Sequence, residues 1–107
     1  MELLAPKGVV DNLIKSNNIV LLYFCSSSCC VCRSINPKIT ELLKKYPNIK
    51  IVEIEAEKDL EISAQYNVFT VPSIIMYIDG KEVIRESRYM SLIDLESKIF
   101  RYYNLYY

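Results

Sequence analysis

The chain has 107 residues, 51% hydrophobic and 24% charged, the proportions of one ordinary globular domain spanning residues 1–107. Its 13 basic and 13 acidic residues cancel, so no general attraction to nucleic acid or to an anionic membrane surface is expected. No stretch approaches the roughly 20 apolar residues that cross a bilayer, and Met1 to Pro6 lack a basic region followed by an apolar run. A cytoplasmic monomer is expected.

Pro6 suits the first turn of a helix, and Val9, Val10, Leu13 and Ile14 recur at helical spacing until Asn17-Asn18. Ile19 to Cys25 is a continuous apolar run, the pattern of a central strand covered on both faces, and Ser26-Ser27-Ser28 follows as a loop. From Cys30, the spacing of Ile35, Ile39, Leu42 and Leu43 predicts a helix as far as Tyr46, kinked at Pro37 and closed by Pro47. Ile49 to Ala56 predicts a second strand, and Asp59 to Tyr66 a short helix with Leu60, Ile62 and Ala64 as packing residues. Val71 to Ile78 predicts a third strand, which Asp79-Gly80 turns into an antiparallel partner, Lys81 to Glu86. Ser91 with Asp94 resembles a capping box opening a last helix through Leu92, Leu95, Ile99 and Tyr103. The sum is an α/β domain ending in a hairpin and a covering helix. The tyrosine-rich end from Phe100 onward is expected to complete that helix's packing on the sheet, against the alternative of a surface that docks a partner or a second copy.

All four cysteines, Cys25, Cys29, Cys30 and Cys32, fall within one eight-residue segment, and histidine is absent. A disulfide-stapled domain would spread its cysteines to close several loops, so the cluster reads as a site of sulfur chemistry. Cys29 stands where a helix N-terminus follows a buried strand. There the unpaired N–H groups and the positive end of the helix dipole stabilise a thiolate, making Cys29 the candidate nucleophile. Cys32, three residues on, lies on the same side of the first turn and is the candidate resolving thiol. Four thiolates are also a ligand set for zinc or an iron–sulfur cluster, but Cys29, Cys30 and Cys32 crowd one turn rather than forming separated pairs. No metal or cofactor is expected.

Over nearly its whole length the chain resembles the thioredoxin family. Phe24 stands five residues before Cys29, Pro37 five after Cys32, Val71-Pro72 precedes the third strand, and Asp79-Gly80 makes the hairpin, as in that family. The resemblance implies a thioredoxin-like fold, with a central mixed sheet of four to five strands flanked by about four helices. It implies a thiol-disulfide oxidoreductase working on protein disulfides through a mixed disulfide, with a separate reductase as electron donor. Pro72 is then the cis-proline of the substrate groove. The Val71 backbone would pair with an extended substrate segment, and Ser28, Cys30 and Val31 would border the same groove. The departures are specific. Ser28 replaces the family's usual tryptophan, Cys30-Val31 its glycine-proline, and Tyr23 its buried aspartate. Glu53, in phase with Ile49 and Ile51 on the second strand, is the candidate replacement proton acceptor for Cys32, against the alternative of a strand-end glutamate facing solvent. Cys25 reads as a small buried hydrophobe. Cys30 reads either as an oxidisable exposed thiol or as a neutral surface residue, and Arg33 and Lys38 as solvated helix charges. The competing reading of the whole chain is a thioredoxin-fold adaptor with little turnover.

Overall fold

A computed structural model describes residues 2–3 and 7–106. In chain order the elements are β1 (Glu2–Leu3), α1 (Lys7–Ser16), β2 (Ile19–Cys25), α2 (Cys30–Leu43), β3 (Lys50–Glu55), α3 (Leu60–Gln65), β4 (Ser73–Ile78), β5 (Lys81–Glu86) and α4 (Leu92–Tyr106). Pro6, expected to open the first helix, lies outside the described residues.

The strands form one mixed sheet in the order β1-β3-β2-β4-β5. β2 runs parallel to β3 and antiparallel to β4, and its seven residues are all buried, as a central strand covered on both faces requires. Alternation then sorts its side chains into two cores. Ile19, Leu21, Tyr23 and Cys25 pack with Cys32, Ile35 and Ile39 of α2 and Leu95 and Ile99 of α4. Val20, Leu22 and Phe24 pack with Val10 and Ile14 of α1 and Ile62 of α3. This is the thioredoxin fold expected above.

Several boundaries differ from the expectation for local reasons. The two residues of β1 carry no periodic signal; only their pairing with Val52 and Glu53 of β3 makes them a strand. β4 starts at Ser73 rather than Val71, since Pro72 has no N–H to give a ladder. α2 runs through Pro37 and ends at Leu43, short of Tyr46. In α3 the buried residues are Ile62 and Ser63, whereas Leu60 is 71% exposed and Ala64 is exposed. Positions 60, 62 and 64 follow a strand period. On a helix Leu60 and Ala64 share a face, and that face looks away from the core. The hairpin turn holds Asp79 at φ 50° and Gly80 at φ 82°, the left-handed pair that a two-residue turn demands. At α4 the backbone N–H of Asp94 donates to Ser91 Oγ at 3.2 Å, one half of the expected capping box.

Candidate functional site: a cysteine pair at a helix N-terminus

The loops leaving the C-terminal ends of β2 and β3 meet beside the start of α2. The Ala56 N–H donates to the Cys25 carbonyl at 2.8 Å, prolonging the parallel pairing past the strands and bringing Glu57 against the serine loop. One oxygen of Glu57 accepts from Ser26 Oγ at 2.5 Å and from Ser28 Oγ. These hydroxyls, Ser26 first, hold the Glu57 carboxyl below its usual range. The Cys29 N–H closes the turn on the Ser26 carbonyl at 3.2 Å.

Cys29 occupies the N-cap of α2 in extended conformation, φ −91° and ψ 119°. The residue is partly exposed. The thiol lies below its ordinary pKa, chiefly through the backbone N–H of Cys32, then the Cys32 thiol, the Val31 N–H and the charge of Arg88. These are the orphan amides of a first helical turn, gathered on one sulfur.

Cys32, one turn in, is 0% exposed. Burial first, then contact with the Cys25 thiol, push it well above an ordinary cysteine, and the Ser26 N–H donating to its sulfur at 3.4 Å offsets only part of this. One turn of helix therefore displaces two thiols in opposite directions.

Opposite Cys29 stands the segment before β4. The Val71-Pro72 peptide is cis, and the Val71 carbonyl oxygen lies 4.0 Å from Cys29 Sγ. A cleft of about 720 Å³ opens beside the pair, with Val31, Leu60, Phe69 and Val71 as apolar walls and Glu57 and Arg88 as its charged borders. Phe69 is 80% exposed. Ser28, Cys29, Cys30, Val31 and Val71 all line this cleft, while Pro72 itself is buried.

Glu53 sits on the Cys32 face of the sheet, in register with Tyr23. Its charge acts on Tyr23, whereas the groups pressing on Cys32 are Cys25, Ser26 and Cys29. In place of a carboxylate the structure puts an uncharged chain behind Cys32. The Cys25 thiol donates toward Tyr23 Oη and Asn36 Oδ1, each at 3.4 Å, and Tyr23 Oη donates to Asn36 Oδ1. Burial raises the Tyr23 phenol far above its ordinary pKa, so it stays protonated. Asn36 has a sequence signal, since it lies one turn beyond Cys32 beside the apolar stripe of α2; Glu57 has none. Cys25 is more than filler, because its polar neighbours are site residues. Nor is Arg33 merely solvated: it donates to the Ser27 carbonyl at 3.0 Å and to Cys30 Sγ at 3.1 Å. Cys25 is buried and Cys30 exposed, and both are free thiols.

A five-stranded mixed sheet, a cysteine pair at the start of α2 and a cis-proline ahead of β4 define a thioredoxin-fold protein with a paired-thiol site. The sequence pattern described as Thioredoxin matches residues 4–100, and the chain belongs to that family. It is 36% identical over 97 residues to the thioredoxin-like protein YdfQ of Bacillus subtilis (strain 168), covering 91% of this chain and 87% of that protein. Among solved structures it is similar to the thioredoxin of Fasciola hepatica, with a TM-score of 0.83 and 29% identity over 94% of this chain and 98% of that one. Oxidised mitochondrial thioredoxin 3 of Saccharomyces cerevisiae shares the fold, with a TM-score of 0.85 at 22% identity over 94% of each chain. Among the described residues no helix is long and apolar enough to cross a membrane.

Proposed function

We propose that the protein is a thiol-disulfide oxidoreductase that reduces protein disulfides. The observation that carries this reading is the placement of the pair: Cys29 half-buried at the α2 N-cap facing the Val71 carbonyl, Cys32 fully buried one turn in. A partly exposed thiol shifted toward thiolate is the attacking group. A buried thiol that stays protonated is held back until a mixed disulfide forms beside it. Cys29 attacks a substrate sulfur, forming a mixed disulfide and expelling the substrate's other sulfur as thiolate. Cys32 then loses its proton and attacks Cys29 Sγ, leaving a Cys29–Cys32 disulfide and a reduced substrate. The Val71 carbonyl, facing Cys29, is the acceptor for an extended substrate backbone, with Pro72 shaping the groove and Ser28, Cys30 and Val31 bordering it. An external dithiol reductase, in a reducing compartment such as the cytoplasm, returns the pair to its thiol form. Glu53 lies on the Cys32 face of the sheet, where its charge acts on Tyr23.

The test is reduction of a small disulfide-linked protein such as insulin by wild type and by Cys29→Ser, Cys32→Ser and Cys30→Ser variants. Cys29→Ser abolishes turnover, Cys32→Ser stalls as a mixed disulfide, and Cys30→Ser keeps most of the rate. Full activity in Cys29→Ser sinks the reading. The uncharged surroundings of Cys32 favour one alternative, an adaptor that captures partners at Cys29 and releases them slowly. Wild type that accumulates mixed disulfide without turnover would identify it.

A further inference from the structure

Cys25 is a buried nucleophile that the dithiol cycle does not use. It is 6% exposed and belongs to the same core cluster as Cys32. The Ser26 N–H, in the peptide that Cys25 itself begins, holds Cys32 Sγ at 3.4 Å. The Cys25 thiol donates toward Tyr23 Oη and Asn36 Oδ1, and its sulfur is in contact with the Cys32 thiol. Both thiols are free.

We infer that Cys25 is a third redox thiol of the site and an alternative disulfide partner for Cys32, so that the oxidised protein exchanges between a Cys29–Cys32 and a Cys25–Cys32 disulfide. The exchange rests on the proposed dithiol cycle, which supplies the first disulfide. Cys25 loses its proton to solvent and attacks Cys32 Sγ. The Cys25–Cys32 bond forms, the Cys29–Cys32 bond breaks, and Cys29 leaves as thiolate with no net oxidation. Cys29 is the favoured leaving group because the α2 amides stabilise its thiolate. The product has its disulfide sealed in the core and an exposed, unpaired Cys29. In that state Cys29 can form mixed disulfides while its resolving partner Cys32 is already bonded, and Cys30 is the other thiol left free. Attack of Cys29 on Cys32 reverses the change.

Two measurements test this. In a Cys29→Ser/Cys30→Ser variant only Cys25 and Cys32 remain. It is oxidised with a diazenedicarboxamide, quenched in acid, unfolded and labelled with a maleimide. The expected result is loss of both labels from the monomer, restored by dithiothreitol; a folded variant that keeps both labels overturns the inference. Wild type is oxidised and quenched in the same way, alkylated, and fragmented intact in the mass spectrometer. A population labelled at Cys29 and Cys30 supports the exchange, and label confined to Cys25 and Cys30 overturns it even if the double variant does not fold. Failure of the dithiol cycle is read separately, as absence of protein-disulfide reduction. That result leaves the Cys25–Cys32 bond to be decided by the two-thiol variant.

Discussion

The hydroxyl of Tyr23, on the central strand, donates to the side-chain oxygen of Asn36, one helical turn beyond the buried thiol Cys32. Tyr23 is 1% exposed, so its hydroxyl has no route to water, while Asn36 is only half-buried. The two ends of this bond therefore respond differently to deletion. Asn36→Ala orphans a buried donor and is expected to cost roughly 1–3 kcal/mol. Tyr23→Phe leaves Asn36 free to hydrate and is expected to cost roughly 0.5–1.5 kcal/mol. Urea midpoints at constant m-value measure both. Equal losses would mean that the hydroxyl finds another partner.

Stability should depend on pH with a sign fixed by the thiols. Cys32 and Tyr23 have raised folded-state values, and Tyr77 is pushed up to about 12 by burial. Each stays protonated in the folded chain while its unfolded counterpart ionises, the cysteine near pH 8.5 and the tyrosines near about 10. Above those values the folded state binds more protons, so stability falls with rising pH, by up to about 1.4 kcal/mol per pH unit per group. Cys29 has the opposite sign. Its lowered value contributes stability that is present above the unfolded cysteine value and lost as pH falls through the folded one. The reduced protein should therefore begin to lose stability above about pH 8.5. In the Cys29–Cys32 disulfide form the cysteine contribution vanishes and the fall waits for the tyrosines. Urea unfolding from pH 7 to 11, with and without reductant, checks this; superimposable curves would contradict it.

Much of this arrangement was legible in the sequence, for reasons that differ from residue to residue. The apolar run Ile19–Cys25, bounded by Asn17-Asn18 and the serine loop, reads as a strand covered on both faces, and strand phase puts Glu53 on the Cys32 side of the sheet, where it lies in register with Tyr23. Phase along a strand does not say which group touches which. That is why the uncharged Cys25–Tyr23–Asn36 chain behind Cys32 had to come from packing between β2 and α2. Glu57 carries no signal in the sequence, because its partners Ser26 and Ser28 are 31 and 29 residues away and no local pattern links them. Apolar character alone points Leu60 to the core, whereas the helix turns it toward the cleft.

Glu57 offers a direct test of the loop geometry. Two serine hydroxyls converge on one of its oxygens, so a Ser26→Ala/Ser28→Ala variant should raise its pKa toward that of an ordinary glutamate. Carboxyl carbon shifts followed by NMR across pH 2.5 to 6 report this residue by residue. An unchanged midpoint would mean that the serines do not hold the carboxylate in solution.

Phe69 and Leu60 form the apolar wall of the cleft next to Cys29, and both are largely exposed, so neither contributes much to folding. Phe69→Ala should leave the unfolding midpoint within about 0.5 kcal/mol of wild type. If the wall seats side chains that flank a substrate disulfide, the same substitution removes a large apolar contact from binding. An aromatic at the centre of such a contact is worth on the order of 1–2 kcal/mol, so KM for a protein disulfide should rise roughly 5- to 30-fold. A small soluble disulfide reaches Cys29 without touching the wall, and its kcat/KM should not change. The contrast between the two substrates separates recognition from chemistry. A parallel loss on both would mean that Phe69 acts on the thiols themselves, and no loss on either would mean that protein substrates approach Cys29 from another side.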